Sequence, residues 1–292
     1  VKCLRSHRLN DTFKMLKSLA EPLNLWDLNE NIRRVEESYL MMLKYSIDGI
    51  EDPNRENVYA GIVSSIYQIL DVIIRETLKK EQAISIYFST LRFKEMQRGV
   101  TISQMLTDYA EKCNQLSMFN LITEGENEKM NKQERVLANE TLAIDIFDKI
   151  WVTYPLAIED EVAISDALES QVYPVYFKQL LVSALFLGLL MFYDEARLKI
   201  LLGAYRNRDE RVAVNALCAI VVSLIKYQDR LSDKKLLNQI NALRDIPQWH
   251  KDVKMVYMQL VKSCDTERVS RKMQDELLPE MMKLRPDLSK KI

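Results

Sequence analysis

Apolar residues recur every three or four positions along the chain, which is the spacing of one face of an α-helix. One stripe runs from Leu28 to Ile47 through Ile32, Val35, Tyr39 and Leu43. A second stripe consists of Val58, Ile62, Ile66, Ile69 and Ile73. It follows Asp52-Pro53, a pair typical of a helix start because Asp caps and proline suits the first helical position. We therefore predict two consecutive antiparallel helices joined around residues 49–52.

Short motifs divide the middle of the chain. Thr101 and Gln104 have the spacing of a capping box, and Gly99 before them is suited to ending the preceding helix. The polar stretch 123–128 predicts a loop, after which a helix should run from about residue 131 to residue 151. Tyr-Pro pairs at 154–155 and 173–174 interrupt the helical pattern. The expected organisation is an N-terminal helical region over 1–155 and helical repeats over 156–292.

A recurring phrase supports repeats in the second half. Leu-Leu pairs that lead into Arg and Asp begin at Leu201, Leu236 and Leu277, which are 35 and 41 residues apart. Apolar helices predicted over 175–192, 211–227 and 250–264 lie between or before them. A period of this length with two helices in each repeat is typical of an α-solenoid. At each turn, Asp can cap the next helix while Arg suits the C-terminus of the previous one.

The clearest of these repeats resembles the HEAT repeats and their armadillo relatives. The residues that carry the resemblance are Leu198-Lys-Ile-Leu-Leu202, the turn Asp209-Glu-Arg-Val212, and the small residues Ala213, Ala216 and Ala219. It is clearest over 195–227 and weaker over the rest of 175–287. The family often has Arg directly after the Val, where this chain has Ala213. The resemblance implies a right-handed superhelix of stacked antiparallel helix pairs.

Composition agrees with an all-α fold. The chain of 292 residues contains 6 Gly and 7 Pro, although tight turns between strands require many of both. Long helices with short connections are therefore expected, about eleven to fourteen of them in an array of this kind. The longest apolar run, residues 180–193, is too short to span a bilayer. It predicts a buried core helix and no membrane span.

Charge and cysteine usage narrow the class of partner. Lys and Arg number 41 and Asp and Glu number 42, so the chain lacks the positive excess typical of nucleic-acid-binding proteins. The cysteines Cys3, Cys113, Cys218 and Cys264 form no C-x-x-C pair, which favours a reducing compartment and a cytoplasmic location. Cys218 lies among apolar residues, and we predict a buried free thiol there.

No residue pattern predicts catalysis, so we expect the chain not to be an enzyme. His7 and His250 are the only histidines, and no zinc-hydrolase, phosphate-loop or nucleophile-elbow motif is present. Cys3 and His7 have the i, i+4 spacing of two metal ligands, but no second pair accompanies them. Gly188 and Gly203 are better explained by close helix packing. We assign no catalytic, cofactor-binding or metal residues, and no cofactor.

Two charged clusters each allow a functional and a structural interpretation. The acidic residues Glu159, Asp160, Glu161, Asp166 and Glu169 could bind a divalent cation. The favoured alternative is an acidic first turn that complements the helix dipole.

The second cluster is basic and aromatic, and consists of Arg92, Lys94 and Arg98 with Phe93 and Tyr87. It could bind nucleic acid. A helix with Phe93 on its core side and the basic residues outside explains the same pattern and is favoured.

The expected function is that of a helical-repeat scaffold or protein–protein interaction module within a larger protein. A protein or peptide would bind a concave face formed by successive helices. The alternatives are a non-catalytic helical accessory region of a multidomain enzyme and a nucleic-acid-binding solenoid. Tyrosines in the repeat half, such as Tyr173, Tyr193 and Tyr227, give modest support to a binding surface. The partner-binding residues and the oligomeric state are not specified by the sequence.

Overall fold

The computed structural model describes residues 4, 6, 8–50, 52–81, 84–96, 99–122, 126–207, 209–231 and 234–272. All regular structure in these ranges is helical, which confirms the all-α prediction. The α-helices are α1 (Leu9–Ala20), α2 (Trp26–Ile47), α3 (Arg55–Lys80), α4 (Ser85–Met96), α5 (Ile102–Ile122), α6 (Glu126–Val152), α7 (Ile158–Glu169), α8 (Val175–Met191), α9 (Glu195–Ala204), α10 (Glu210–Lys226), α11 (Lys234–Arg244) and α12 (Pro247–Lys272). Short 3₁₀ turns occupy Glu21–Leu23 and Gln228–Arg230.

The chain divides into two compact units, residues 1–240 and residues 241–292. Helices α1–α10 belong to the first unit and α12 to the second. The boundary predicted near residue 155 lies inside the first unit. The third Leu-Leu phrase, which begins at Leu277, and the Cys3–His7 pair both fall outside the described residues.

Helices α1–α3 pack against one another around an aliphatic seam. The seam contains both stripes read from the sequence, with Ile32 and Ile66 almost fully buried. Two members of the predicted stripes do not join it, since Ile47 is 84% exposed and Val58 is 40% exposed. Both lie at the helix ends beside the connecting turn, where the neighbouring helix no longer covers them.

Two predicted boundaries were wrong. Helix α3 begins at Arg55 rather than beside Pro53, because the Asp52 carboxylate accepts the Asn54 backbone N–H at 2.8 Å and forms a turn before the helix. Helix α6 begins at Glu126, so residues 126–128 of the predicted loop are helical, while residues 123–125 fall outside the described part. Acidic residues in a first turn are favoured by the helix dipole.

The capping box at the start of α5 is confirmed. The Thr101 N–H donates to Gln104 Oε1 at 3.1 Å, and the Gln104 N–H donates to Thr101 Oγ1 at 3.2 Å. Gly99 has a φ of +110°, a conformation that favours glycine. The local signals therefore set this helix start correctly.

Helices α4–α10 pack in two rows. Helices α5, α7 and α9 contact one another in succession, and so do α4, α6, α8 and α10. Neighbours in sequence contact each other across the rows, as α5 does with α6 and α9 with α10. Helix α8 lies at the centre of the stack and buries Phe177, Leu181, Leu185 and Leu189. The predicted core helix is therefore confirmed.

Two observations bear on the cysteines and on the membrane. Cys113, Cys218 and Cys264 are free thiols, and Cys218 is exposed, so its predicted burial is wrong. It stands on α10 one residue beyond the buried pair Ala216 and Leu217, on the side turned away from the stack. Within the described residues, α3 is long and apolar enough to cross a membrane, with a third of its most apolar window buried. One such helix is weak evidence, because core helices of soluble proteins satisfy the same criterion.

Candidate partner-binding groove

A fully buried arginine closes the C-terminus of α6. The Arg197 guanidinium donates to the Ile150 carbonyl at 2.7 Å, to the Trp151 carbonyl at 3.4 Å and to the Thr153 carbonyl. The last carbonyls of a helix have no partner within the helix, and positive charge near them is favoured by the dipole. Burial lowers the pKa of Arg197, while the nearby Asp194 carboxylate opposes that effect. Arg197 therefore joins α9 to α6 across the stack.

Asp194 completes this arrangement from the start of α9. Its Oδ2 accepts the Arg197 Nε–H at 3.3 Å and the Leu156 N–H at 2.9 Å, while its Oδ1 accepts the Ala196 N–H at 3.1 Å. One carboxylate thus caps α9, pairs with the buried cation and holds the segment that follows α6. We call Asp194, Arg197 and the carbonyls of residues 150, 151 and 153 the Arg197 cluster.

Two further helix ends are closed in the same manner. The Asn207 side-chain amide donates to the Leu168 carbonyl at 2.6 Å, near the end of α7. At the end of α8, the Tyr227 hydroxyl donates to the Leu189 carbonyl and the Lys226 amine to the Leu190 carbonyl. In each case, a side chain from a later helix or turn satisfies carbonyls that end an earlier helix. These capping contacts fix the spacing of the stack.

The capped helices enclose a groove of about 700 Å³ formed by α7, the first turn of α8, α9 and the turn that precedes α10. Its polar and charged lining residues are Ser165, Glu169, Gln171, Lys178, Lys199, Arg206, Asn207 and Asp209. We call it the Lys178 groove. Its volume lies within the range of about 300–1,000 Å³ that is usual for ligand pockets.

Lys178 is the most unusual side chain in this groove. It is the single charged residue of the apolar helix α8, and it is 7% exposed. Burial lowers the pKa of its amine, and the Asp209 carboxylate opposes that effect. Asp209 is itself engaged as the N-cap of α10, where its Oδ1 accepts the Arg211 N–H at 2.9 Å. Lys199, on the opposite wall, forms an ion pair with Glu195.

A second cleft of about 790 Å³ lies between α3 and the segments that follow α6, α8 and α10. Here the charged groups satisfy each other, because Arg230 binds Asp71 through two hydrogen bonds of 2.6 and 2.8 Å. The guanidinium also lies 4.7 Å from the ring of Tyr67 and 5.4 Å from that of Tyr227. Burial opposes the charge of Arg230, but Asp71 outweighs it and raises the pKa. This pair is therefore better suited to joining helices than to binding a ligand.

The charged clusters noted in the sequence have structural roles. Glu159, Asp160 and Glu161 occupy the first turn of α7, as favoured. In the part of the chain that the structure describes, no group of three or more His, Cys, Asp or Glu side chains is arranged to hold a metal ion.

The favoured interpretation of the basic and aromatic cluster was wrong. Lys94 is 3% exposed and its amine lies 2.6 Å from the Asp145 carboxylate of α6, whereas Phe93 is 56% exposed. The ion pair to α6 draws the lysine inward, and the adjacent phenylalanine consequently faces outward. Tyr87 is buried and Arg92 is exposed, while Arg98 lies outside the described residues.

The glycines gave one correct and one wrong expectation. A Cβ at Gly188 would lie 1.5 Å from Arg197 Nη1, so this position requires glycine. The predicted close approach exists, although the neighbour is an arginine head group rather than another helix backbone. At Gly203 no atom lies within 4 Å of the corresponding position, so close packing does not explain that residue.

The residues that build the groove were not identified from the sequence. A lone lysine in the apolar run of α8 was the available signal for Lys178, and Asp directly before a helix was the signal for Asp194. Nothing in the sequence marks Arg197, because its partners lie 44 to 47 residues earlier. The chain matches no protein-family model, no curated protein and no solved structure.

Proposed function

We propose that helices α4–α10 are part of an α-solenoid of HEAT-like helix pairs and that the chain serves as a helical-repeat scaffold for a protein partner. The row-wise contacts of alternate helices support the repeat arrangement, because a solenoid stacks each helix pair on the next. The capping contacts support it as well. They link residue 168 to 207 and residue 189 to 227, which are 39 and 38 positions apart.

The Lys178 groove is the observation that carries the proposed binding function. It is built by successive helices α7, α8 and α9, as the binding surface of a repeat array is. Its walls combine apolar residues, such as Leu168 and Ile200, with charged residues at the rim. Interfaces commonly pair an apolar centre with a polar rim, and an extended peptide segment would fit this groove.

Affinity capture with a groove-blocking variant tests the proposal. Gln171 is exposed and lines the groove, so Gln171→Trp should obstruct the groove without disturbing the fold. Gln133, an exposed residue of α6 that does not line the groove, gives the matched control Gln133→Trp. The immobilised chain is exposed to a lysate of its native host, and retained proteins are quantified by mass spectrometry.

We expect a specific protein to be retained by the original chain and by Gln133→Trp, and to be lost from Gln171→Trp. Circular dichroism and denaturation midpoints confirm that all three proteins are folded. Equal retention by Gln171→Trp would show that the groove is not the binding surface. Retention of no specific protein by any of the three would contradict the scaffold function itself.

A further inference from the structure

Lys178 is a buried cation without a partner. Its side chain is 7% exposed, and in the described residues it makes neither a hydrogen bond nor an ion pair. Across those same residues, Ser223 Oγ is the one fully enclosed side-chain polar atom that lacks a hydrogen bond. The Lys178 amine therefore keeps access to the groove that it lines. A buried ammonium group that lacks a counter-charge is costly, so the site favours an anion.

The neighbouring charges do not neutralise this amine directly. The Asp209 carboxylate is committed to capping α10 through the Arg211 N–H, and Lys199 is paired with Glu195. Arg206 is exposed at the rim and adds a second positive charge to the groove. A ligand anion that reaches Lys178 would thus gain a charge-assisted hydrogen bond in a partly desolvated site.

We propose that the Lys178 groove binds a side-chain carboxylate of an acidic peptide segment, and that this carboxylate pairs with the Lys178 amine. The inference rests on the proposed function and specifies the chemistry of the partner. Lys178 provides the buried contact, and Arg206 contacts a further acidic residue of the same segment at the rim. The apolar wall residues Leu168 and Ile200 contact the intervening side chains of the peptide.

A carboxylate fits this groove better than a phosphate does. Phosphate sites commonly use the free backbone N–H groups of a helix N-terminus, but Asp209 already accepts the N–H of Arg211 at the start of α10. Glu169 and Asp209 also line the groove, and their negative charges repel a dianion more strongly than a single carboxylate. The mixed lining therefore selects a singly charged group.

Nuclear magnetic resonance of lysine side chains tests the proposal on the full chain. The protein is labelled with ¹³C at lysine Cε, and Lys178→Met identifies the Lys178 signal by its loss. The probe is an octapeptide of alternating Glu and Ser, and its neutral match alternates Gln and Ser. Lys254→Met, which changes an exposed lysine of α12, is the matched control.

The acidic peptide should shift the Lys178 signal saturably and raise the pKa of that amine, because a bound carboxylate stabilises the charged form. Lys178→Met should weaken peptide binding about tenfold or more, whereas Lys254→Met should leave it unchanged. A Lys178 signal that does not respond to the acidic peptide would overturn the proposal. So would equal affinity of Lys178→Met and the original chain for that peptide.

Two more arms separate other sources of binding. The Gln-Ser peptide should bind more weakly, and equal binding of both peptides would show that the carboxylates are not recognised. Inorganic phosphate that moves the Lys178 signal when the acidic peptide does not would assign the groove to a small anion instead. If Lys178→Met retains the protein captured from lysate while Gln171→Trp loses it, the scaffold function stands and the acidic-peptide inference fails.

Discussion

Helices α1–α3 and helices α6–α10 are held together by different interactions. The N-terminal block packs an aliphatic seam, in which residues such as Ile32, Ile66 and Ile73 are nearly fully buried. The later stack has a comparable apolar centre in α8, but its helix ends are joined by buried polar contacts, of which the Arg197 cluster is the most extensive. Apolar packing tolerates many exchanges of similar volume, whereas a buried charged cluster requires particular atoms at particular places.

This difference suggests a division of roles. An aliphatic seam contributes stability without specifying a unique local geometry, because apolar contacts are not directional. The capping contacts of the stack fix helix ends at defined distances, and these ends form the walls of the Lys178 groove. A binding surface benefits from rigid walls, since less ordering is required when the partner binds. The following predictions test this comparison.

The largest effect is expected for Arg197→Met. The change leaves the Asp194 carboxylate buried without its cation and removes the hydrogen bonds to the carbonyls of Ile150, Trp151 and Thr153. The free energy of unfolding should fall by about 3–5 kcal/mol, as is usual when one member of a buried ion pair is removed. Urea denaturation measures it. Arg211→Met, at an exposed position of α10, is the control, and a similar loss in both variants would refute a special role for Arg197.

Substitutions at Ile66 test the seam. Ile66→Ala removes buried methyl groups and should cost about 2–5 kcal/mol, whereas Ile66→Leu keeps the volume and should cost less than about 1.5 kcal/mol. Arg197→Lys keeps the charge but cannot reproduce the bonds of the guanidinium, so it should remain strongly destabilising. If Arg197→Lys were tolerated as well as Ile66→Leu is, the distinction between the two regions would collapse.

A pair of glycine substitutions should have effects of opposite sign. Gly188→Ala places a Cβ 1.5 Å from Arg197 Nη1 and displaces the guanidinium, which should cost about 1–3 kcal/mol. Gly203→Ala meets no atom within 4 Å and should stabilise the helix by about 0.5–1 kcal/mol. Thermal or urea denaturation compares the two. Equal effects would mean that Arg197 does not approach α8 as described.

The smallest effect concerns alkaline pH. Burial raises the pKa of Tyr154 to about 12, with Asp71 and Asp194 adding to the increase. A raised folded-state pKa gives stability that is fully present below the unfolded value near about 10 and is lost as the pH rises toward 12. Tyr154→Phe should therefore lose less stability than the original chain between pH 9 and pH 11. Tyr45→Phe, at an exposed position, should follow the original chain.

The sequence was sufficient to predict the seam but not the polar contacts. Helical periodicity alone identified the buried residues of α2 and α3, because burial there follows from position on one helix face. The capping box at Thr101 was likewise local and therefore readable.

The Arg197 cluster depends instead on which helix ends meet in three dimensions, and periodicity carries no information about that. The inversion of Phe93 and Lys94 has the same origin, since the partner of Lys94 is Asp145, 51 residues away. Charge in a helix was taken to mean exposure, and a distant carboxylate reversed it. The same long-range dependence explains why Lys178 and its groove were missed. Only the local half of each such contact is visible along the chain.

Hydrogen exchange of the chain with and without its captured partner tests the central claim that the stack, rather than the seam, presents the binding surface. We predict that the partner slows amide exchange in the segments that line the Lys178 groove, at the end of α7, the start of α8 and the turn before α10. Exchange in α1–α3 should be unchanged. Protection confined to α1–α3, with none around the groove, would contradict the account.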